Sequence, residues 1–300
     1  MHNTLIVVVG PTGIGKTSLS IALAQHFKSQ IISADSRQIF KEIKIGTAAP
    51  TEMELAAAPH HLVATQSISD YYSAWEFEQD VLKLTDSLFQ KCNPLIMVGG
   101  AMMYVDAVCK GIDDLPTIDQ TLRDEVFKQY EEIGLEGMRR QLKQLDPVFY
   151  EQVDLKNAKR VIHAVEICLM TGMPYSSLRT NPNKERPFKI IKIGLDIPRE
   201  ELYERINRRV DLMIENGLVD EVKGLQHLKH LNSLNTVGYK EIFSYLVGEI
   251  TLPEAIELIK RNSRRYAKKQ LTWFRKDEST AWFHPSQRDE IIAFLDKKMK

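Results

Sequence analysis

Cysteine is scarce in this 300-residue chain: Cys92, Cys109 and Cys168 are odd in number and never spaced as C-x-x-C. That excludes a disulfide framework and a cysteine-built zinc site, and it suits a reducing cytoplasm. Long hydrophobic runs are missing too, since none reaches the roughly 18 apolar residues that a membrane helix needs. The opening stretch MHNTLIVVV carries no basic leader and only a short apolar segment, so no signal peptide is expected. Forty basic side chains are cancelled by forty acidic ones. A polyanionic partner would therefore have to be met by a local patch, not by the overall field. Internal repeats and low-complexity tracts are also absent. What remains, at 43% hydrophobic and 27% charged residues, is the composition of an ordinary globular protein with one large or two ordinary domains.

Short β-branched runs alternate with helical patterns. TLIVVV at 4–9, QIISA at 30–34, PLIMVG at 94–99 and KIIKIGLDI at 189–197 have the near-continuous apolarity of parallel strands covered on both faces. Residues 113–180 read differently: LRDEVFKQYEEIG, LEGMRRQLKQLD and NAKRVIHAVEICLMTG place apolar positions at three and four spacing. The expectation is an α/β fold, a P-loop NTPase-like parallel sheet flanked by helices and formed by residues 1–112 and 181–300, with an inserted helical subdomain at 113–180. RTNPNKERP at 179–187 reads as a turn-rich connector.

The first strand runs into GPTGIGKT, residues Gly10, Pro11, Thr12, Gly13, Ile14, Gly15, Lys16 and Thr17, which satisfies G-x-x-x-x-G-K-[ST]. SLSIALAQHF follows, with Leu19, Leu23 and Phe27 on one helical face. Strand, loop and helix together predict a phosphate cradle. Glycines let amide N–H groups converge, the helix N-terminus adds its dipole, Lys16 supplies charge and Thr17 can coordinate Mg²⁺. Such a loop specifies a diphosphate or longer chain without saying whose. Asp35, directly after the second strand, fits a general base or metal-associated carboxylate as well as it fits a helix N-cap. Gly99 and Gly100 after the third strand fit either a close backbone approach to a ligand or a simple turn.

In KRNSRRYAKKQLTWFRK, Lys260, Arg264 and Lys268 form one stripe at four-residue spacing, and Arg261, Arg265 and Lys269 form another. Tyr266, Trp273 and Phe274 interleave with them. The mixture suits phosphate contacts with stacking on unpaired bases, and equally a solvated helix face with its aromatic residues in the core.

The chain resembles the tRNA dimethylallyltransferases, also called tRNA isopentenyltransferases. The resemblance is carried by GPTGIGKT, ADSRQIFKEIKIGTAAP, PHHLV at 59–63, YSAWEF at 72–77, MVGGAMMY at 97–104 and NAKRVIHAVE at 157–166. It continues through RINRRVDLMIENGLVDEV at 205–222, VGYKEIFSYLVGE at 237–249 and RRYAKKQLTWFRK at 264–276, in the family's order over nearly the whole length. It implies transfer of a dimethylallyl group from dimethylallyl diphosphate to N6 of adenosine 37, just 3′ of the anticodon, in tRNAs that read codons beginning with U. Gly10–Thr17 would hold the diphosphate, with Lys16 and a Mg²⁺ near Thr17 stabilising the leaving group. Asp35 would be the base and Arg209 a further diphosphate contact, its other reading being a surface ion pair on the helix. The tRNA anticodon stem-loop would be met by Asp35, Ser36, Arg37 and Gln38, by Ala101 and Arg123, and by Asn157, Lys159 and Arg160. The inserted helices would clasp the stem. A monomer that binds ATP at the same loop, with no membrane partner, completes the picture.

Departures from the family pattern are local. Ala101 and Met102 stand where GGTG-x-Y is usual, which removes a hydroxyl from the expected site; Phe40 replaces a tyrosine, Ala49 a lysine, and His163 and Lys269 arginines. No C-terminal zinc finger is present in these residues. Three other readings stay open on sequence alone: a P-loop small-molecule kinase, a silent tRNA-binding paralogue, and an adenylate isopentenyltransferase acting on free nucleotides.

Overall fold

In the computed structural model, which describes residues 2–180 and 183–299, the apolar runs become strands β1 (Thr4–Val9), β2 (Ile31–Ser33), β4 (Leu95–Gly99) and β5 (Lys189–Leu195). Two short strands that the sequence pattern does not announce join them, β3 (His60–His61) and β6 (Ala281–Phe283). Among the described residues the sheet has six strands in the order β3-β2-β4-β1-β5-β6, and every neighbouring pair is parallel. β1 is central, with Val9 opposite Gly99 on one side and Gly194 on the other.

Successive side chains of β1 point to opposite faces, and both faces are covered. Ile6 and Val8 join Leu19, Leu23, Ile96 and Ile193 in one core cluster; Leu5, Val7 and Val9 join Phe77, Met97, Tyr104 and Val108 in another. This double burial is why the strand reads as an unbroken apolar run. The chain leaves β1 toward β2 on one side and returns as β5 on the other. Such a reversal opens a crevice at the carboxyl ends of the strands, where ligands of open α/β sheets bind.

Helices Arg199–Glu215, Leu218–Gly224, Tyr239–Leu246 and Leu252–Phe274 pack a third cluster around Val210, Leu218, Val222, Tyr239, Ile242, Ala255 and Ile259, joined by Ile39, Phe40 and Ile43 from the segment after β2. The last of these helices begins with a capping box formed by Thr251 and Glu254, a local stop signal for the preceding turn.

Two compact units emerge, one formed by Met1–Cys109 with Glu185–Lys300 and the other by Lys110–Lys184. The second is all-helical among its described residues. Helix Gln120–Leu145 is interrupted at Gly134, whose φ of 65° breaks the helical path, and helix Ala158–Thr171 packs against it over Val126, Met138, Leu142, Val161, Ala164 and Val165. Buried Asp146 accepts from the Phe149 and Ser176 amides and the Ser176 hydroxyl, so its charge is met inside this small core. The unit's two ends meet, the Lys184 N–H donating to the Lys110 carbonyl at 2.7 Å. The connector expected at 179–187 falls partly on residues 181 and 182, outside the described residues.

Candidate active site

Gly10–Gly15 forms the turn between β1 and helix Lys16–Phe27, whose first residues are Lys16 and Thr17. Gly13 and Gly15 have φ of 80° and 98°, backbone that an L side chain adopts only under strain. Helix Lys16–Phe27 buries Leu19 and Leu23 against the sheet, which fixes where its N-terminus points. The Lys16 ammonium folds back over the loop and donates to the carbonyls of Gly10 (3.0 Å) and Pro11 (2.9 Å). Burial and the neighbouring Arg209 guanidinium push its pKa down to about 8, against the opposing pull of Asp35.

Arg209 is not a surface ion pair. Its Nη1 donates to the Thr12 hydroxyl at 3.0 Å, and burial lowers its pKa. The helix-surface pair falls instead to Arg205, four residues earlier, which bonds Glu201 at 2.7 Å. Arg205 also touches the loop, its Nη1 donating to the Ile14 carbonyl at 3.5 Å, but it is the more exposed of the two.

Asp35 organises a turn and faces a cavity. Its Oδ1 accepts from the amides of Arg37 (2.9 Å) and Gln38 (3.2 Å), so one oxygen organises the turn after β2, an Asx turn and not a helix cap. The carboxylate also lines a cavity of about 340 Å³ together with Thr12, Ser36, Arg37, Arg209 and Tyr266. Arg37 has its pKa lowered by burial, against the charge of Asp35. Burial and the Asp35 charge raise the Tyr266 phenol to about 12, so it is protonated at neutral pH.

Gln38 does not line that cavity; its Nε2 donates to the carbonyls of Thr47 (3.1 Å) and Ala48 (2.9 Å), tying down the loop that does. Ala101 lies outside the lining as well, buried just before helix Met102–Lys110. Arg123, Asn157, Lys159 and Arg160 belong to the helical unit. There Arg123 pairs with Glu166 at 3.5 Å and Asn157 caps helix Ala158–Thr171 by accepting from the Arg160 amide. Lys159 and Arg160 are exposed in that helix's first turn, where the dipole disfavours cations and favours an anion between them.

The two basic stripes of helix Leu252–Phe274 part company. Lys260 bonds Asp211 at 2.8 Å and Arg264 bonds Asn207 at 2.6 Å, which packs that stripe against helix Arg199–Glu215. Arg261, Arg265 and Lys269 are exposed, as is Lys268. Of the interleaved aromatic residues only Tyr266 reaches the cavity. Trp273 is half-buried and donates to Asp106 at 2.8 Å, and Phe274 is buried in the core.

Sequence reasoning overlooks the far wall. Glu221 accepts from the amides of Lys44, Ile45 and Gly46 and from the Tyr239 hydroxyl, holding Gly46 and Thr47 at the cavity edge. Nothing local marks Glu221, because its three backbone partners lie 175 to 177 residues away. Gln270 is likewise unmarked, though it bonds the Thr12 amide.

The family model for IPP transferase matches residues 38–277. The tRNA dimethylallyltransferase 1 of Bacteroides thetaiotaomicron is 58% identical over 292 residues, covering 97% of this chain and 95% of that one. The tRNA dimethylallyltransferase of Christiangramia forsetii is 49% identical over 300 residues, covering 100% and 99%. Among solved structures, the full-length tRNA isopentenylpyrophosphate transferase from Bacillus halodurans superposes with a TM-score of 0.72 at 37% identity, over 99% of this chain and 96% of that one. A eukaryotic dimethylallyltransferase acting on tRNA gives 0.73 at 26% identity, over 90% and 69%.

Proposed function

Because the chain belongs to the IPP transferase family, we propose that it transfers the dimethylallyl group of dimethylallyl diphosphate to N6 of adenosine 37 in tRNAs reading codons that begin with U. The observation that carries this reading is the cavity itself, which brings Asp35 and Arg209 together beside Thr12 of the phosphate loop. In the reaction N6 attacks the allylic carbon, the C–O bond to diphosphate breaks, and the amine proton passes to Asp35. Arg209 and Lys16 take up the charge that develops on the leaving diphosphate. An exocyclic amine is a weak nucleophile, so alignment in the cavity supplies much of the rate. A small-molecule kinase would account for the loop alone and leaves the match over residues 38–277 without a reason.

No group of three or more His, Cys, Asp or Glu among the described residues could hold a metal. The donor set fits Mg²⁺ bound through the Thr17 hydroxyl, diphosphate oxygens and water. When bound there, the ion neutralises charge on the diphosphate.

The acceptor adenine must be turned out of the anticodon loop to reach Asp35, at small cost in a single-stranded loop. Exposed Lys159 and Arg160, and the stripe Arg261, Arg265 and Lys269, are placed on surfaces where phosphates can be met. Binding of tRNA should accordingly weaken steeply with salt. Among the described residues no helix is long and apolar enough to cross a membrane.

The test is single-turnover transfer of labelled dimethylallyl groups, with Mg²⁺, to unmodified tRNA bearing adenosine 37, to the same tRNA bearing guanosine there, and to free AMP. Label on the adenosine-bearing tRNA alone is the expected result. Label on AMP, or none with tRNA still bound, overturns the reading in favour of a free-nucleotide enzyme or a silent paralogue. In the same assay Ala101→Thr, which restores the family's hydroxyl, is expected to raise the rate by about five- to tenfold, the worth of one hydrogen bond. An unchanged rate removes position 101 from the chemistry.

Lys16 makes donor binding pH-dependent. The diphosphate binds the ammonium form, and in the free protein that form is lost as pH rises through about 8. Affinity for dimethylallyl diphosphate should be full below that pH and fall by up to about tenfold per pH unit above it. Lys16→Arg, whose charge persists, should flatten the profile, and titration calorimetry across the alkaline range measures both.

A further inference from the structure

Gln270 is a buried polar side chain, 2% exposed, on helix Leu252–Phe274, where Ala267 and Phe274 are packed into the core on either side of it. Its amide is used twice. Oε1 accepts from the Thr12 N–H at 2.9 Å, and Nε2 donates to the Gly100 carbonyl at 2.8 Å. One side chain thus joins the loop after β1 to the turn after β4, across the two central strand ends.

Two further facts give the contact a direction. The Thr12 hydroxyl is held by Arg209 at 3.0 Å, so Thr12 is fixed from its backbone by Gln270 and from its side chain by the arginine assigned to the diphosphate. A Cβ at position 100 would lie 2.2 Å from Gln270 Nε2, so any side chain there would displace the amide. The close approach at Gly100 is therefore made by Gln270, a neighbour and not a ligand. A buried amide keeps its geometry only while both of its ends are bonded. Carried on a packed helix, it holds the loop to one conformation.

We propose that Gln270 is a positioning residue for the diphosphate loop, acting through Thr12 to hold the loop, and with it the Arg209 contact, in the conformation that receives the donor's diphosphate. This rests on the reading of Gly10–Thr17 as the diphosphate site. It concerns a residue that touches neither tRNA nor the reacting atoms.

The experiment measures affinity for inorganic pyrophosphate with Mg²⁺ by calorimetry, alongside the KM for dimethylallyl diphosphate, tRNA affinity and thermal stability. Gln270→Met keeps the length of the side chain and removes both hydrogen bonds. It is expected to weaken pyrophosphate binding about tenfold and to raise the donor KM in parallel, with tRNA affinity unchanged. Gly100→Ala, which leaves Gln270 in place but displaces its Nε2, should weaken pyrophosphate binding in the same sense. In the double variant the two effects should not multiply, because they break one link. Pyrophosphate affinity within twofold of the unaltered protein in both variants overturns the inference. So do equal losses of pyrophosphate and tRNA affinity, or losses that multiply in the double variant. If Gln270→Met does not fold, Gly100→Ala alone decides. Failure of the unaltered protein to bind pyrophosphate overturns the loop assignment and Gln270 with it. Binding without prenyl transfer overturns only the proposed reaction and leaves the Gln270 comparison to be read.

Discussion

Asp35→Asn should slow single-turnover prenyl transfer by about 10²- to 10⁴-fold, the usual worth of a positioned general base, while leaving tRNA binding intact. Asparagine is the informative replacement because its carbonyl oxygen can still accept from the Arg37 and Gln38 amides, as Asp35 Oδ1 does. The turn after β2, and the cavity wall that it forms, then survive. What is lost is the carboxylate proposed to accept the N6 proton, together with a negative charge near Lys16, Arg37 and Arg209. Removing that charge should leave donor affinity equal or stronger. A variant that binds both substrates and fails to turn over would thus separate the base from the scaffold. Transfer within tenfold of the unaltered protein would remove Asp35 from proton transfer.

Arg209→Ala should cost about 10²- to 10³-fold in transfer, the scale set by losing one charged stabiliser of a leaving group, and should raise the donor KM. Arg209→Lys is expected to recover only part, since an ammonium replaces the point charge but not the planar fork. The neighbouring Arg205→Ala is the built-in control. Arg205 is exposed, paired with Glu201 and only loosely bonded to the Ile14 carbonyl at 3.5 Å, and such exposed pairs contribute about 0–1 kcal/mol, so transfer should stay within a fewfold. Loss of the Arg209 charge also relieves Lys16 of a like-charged neighbour. In Arg209→Ala the alkaline fall in donor affinity should therefore begin at higher pH. A loss from Arg209→Ala as small as the one expected of Arg205→Ala would place Arg209 outside the diphosphate site.

The central strands and the phosphate loop were legible because their signals are local. β1, β4 and β5 are buried on both faces and appear as apolar runs, and glycines, lysine and threonine in fixed order announce the cradle. β3 and β6, with two and three residues at the sheet edges and half-buried, are too short and too mixed to show a period. The site beyond the loop depends on distant pairings. Arg209 meets Thr12 across 197 residues and Gln270 meets it across 258, and no spacing in the sequence encodes either. The basic helix shows the same limit. Its two stripes are alike in sequence, yet Asp211 and Asn207 neutralise or bind one of them, and only the packed helix reveals which. The glycines at the end of β4 fitted a close approach to a ligand or a turn, and the structure instead sets Gly99 against Ala34 and Gly100 against Gln270.

The hydrogen bond between Lys184 and Lys110 bears on inheritance. To the sheet, everything from 110 to 184 is a detour that departs and returns at almost one point, so it costs the parent fold little more than closure of a surface loop. Such a graft can lengthen, shorten or be exchanged between lineages while β4 and β5 keep their register. The unit that carries the phosphate loop and the helical unit are thereby free to diverge at different speeds.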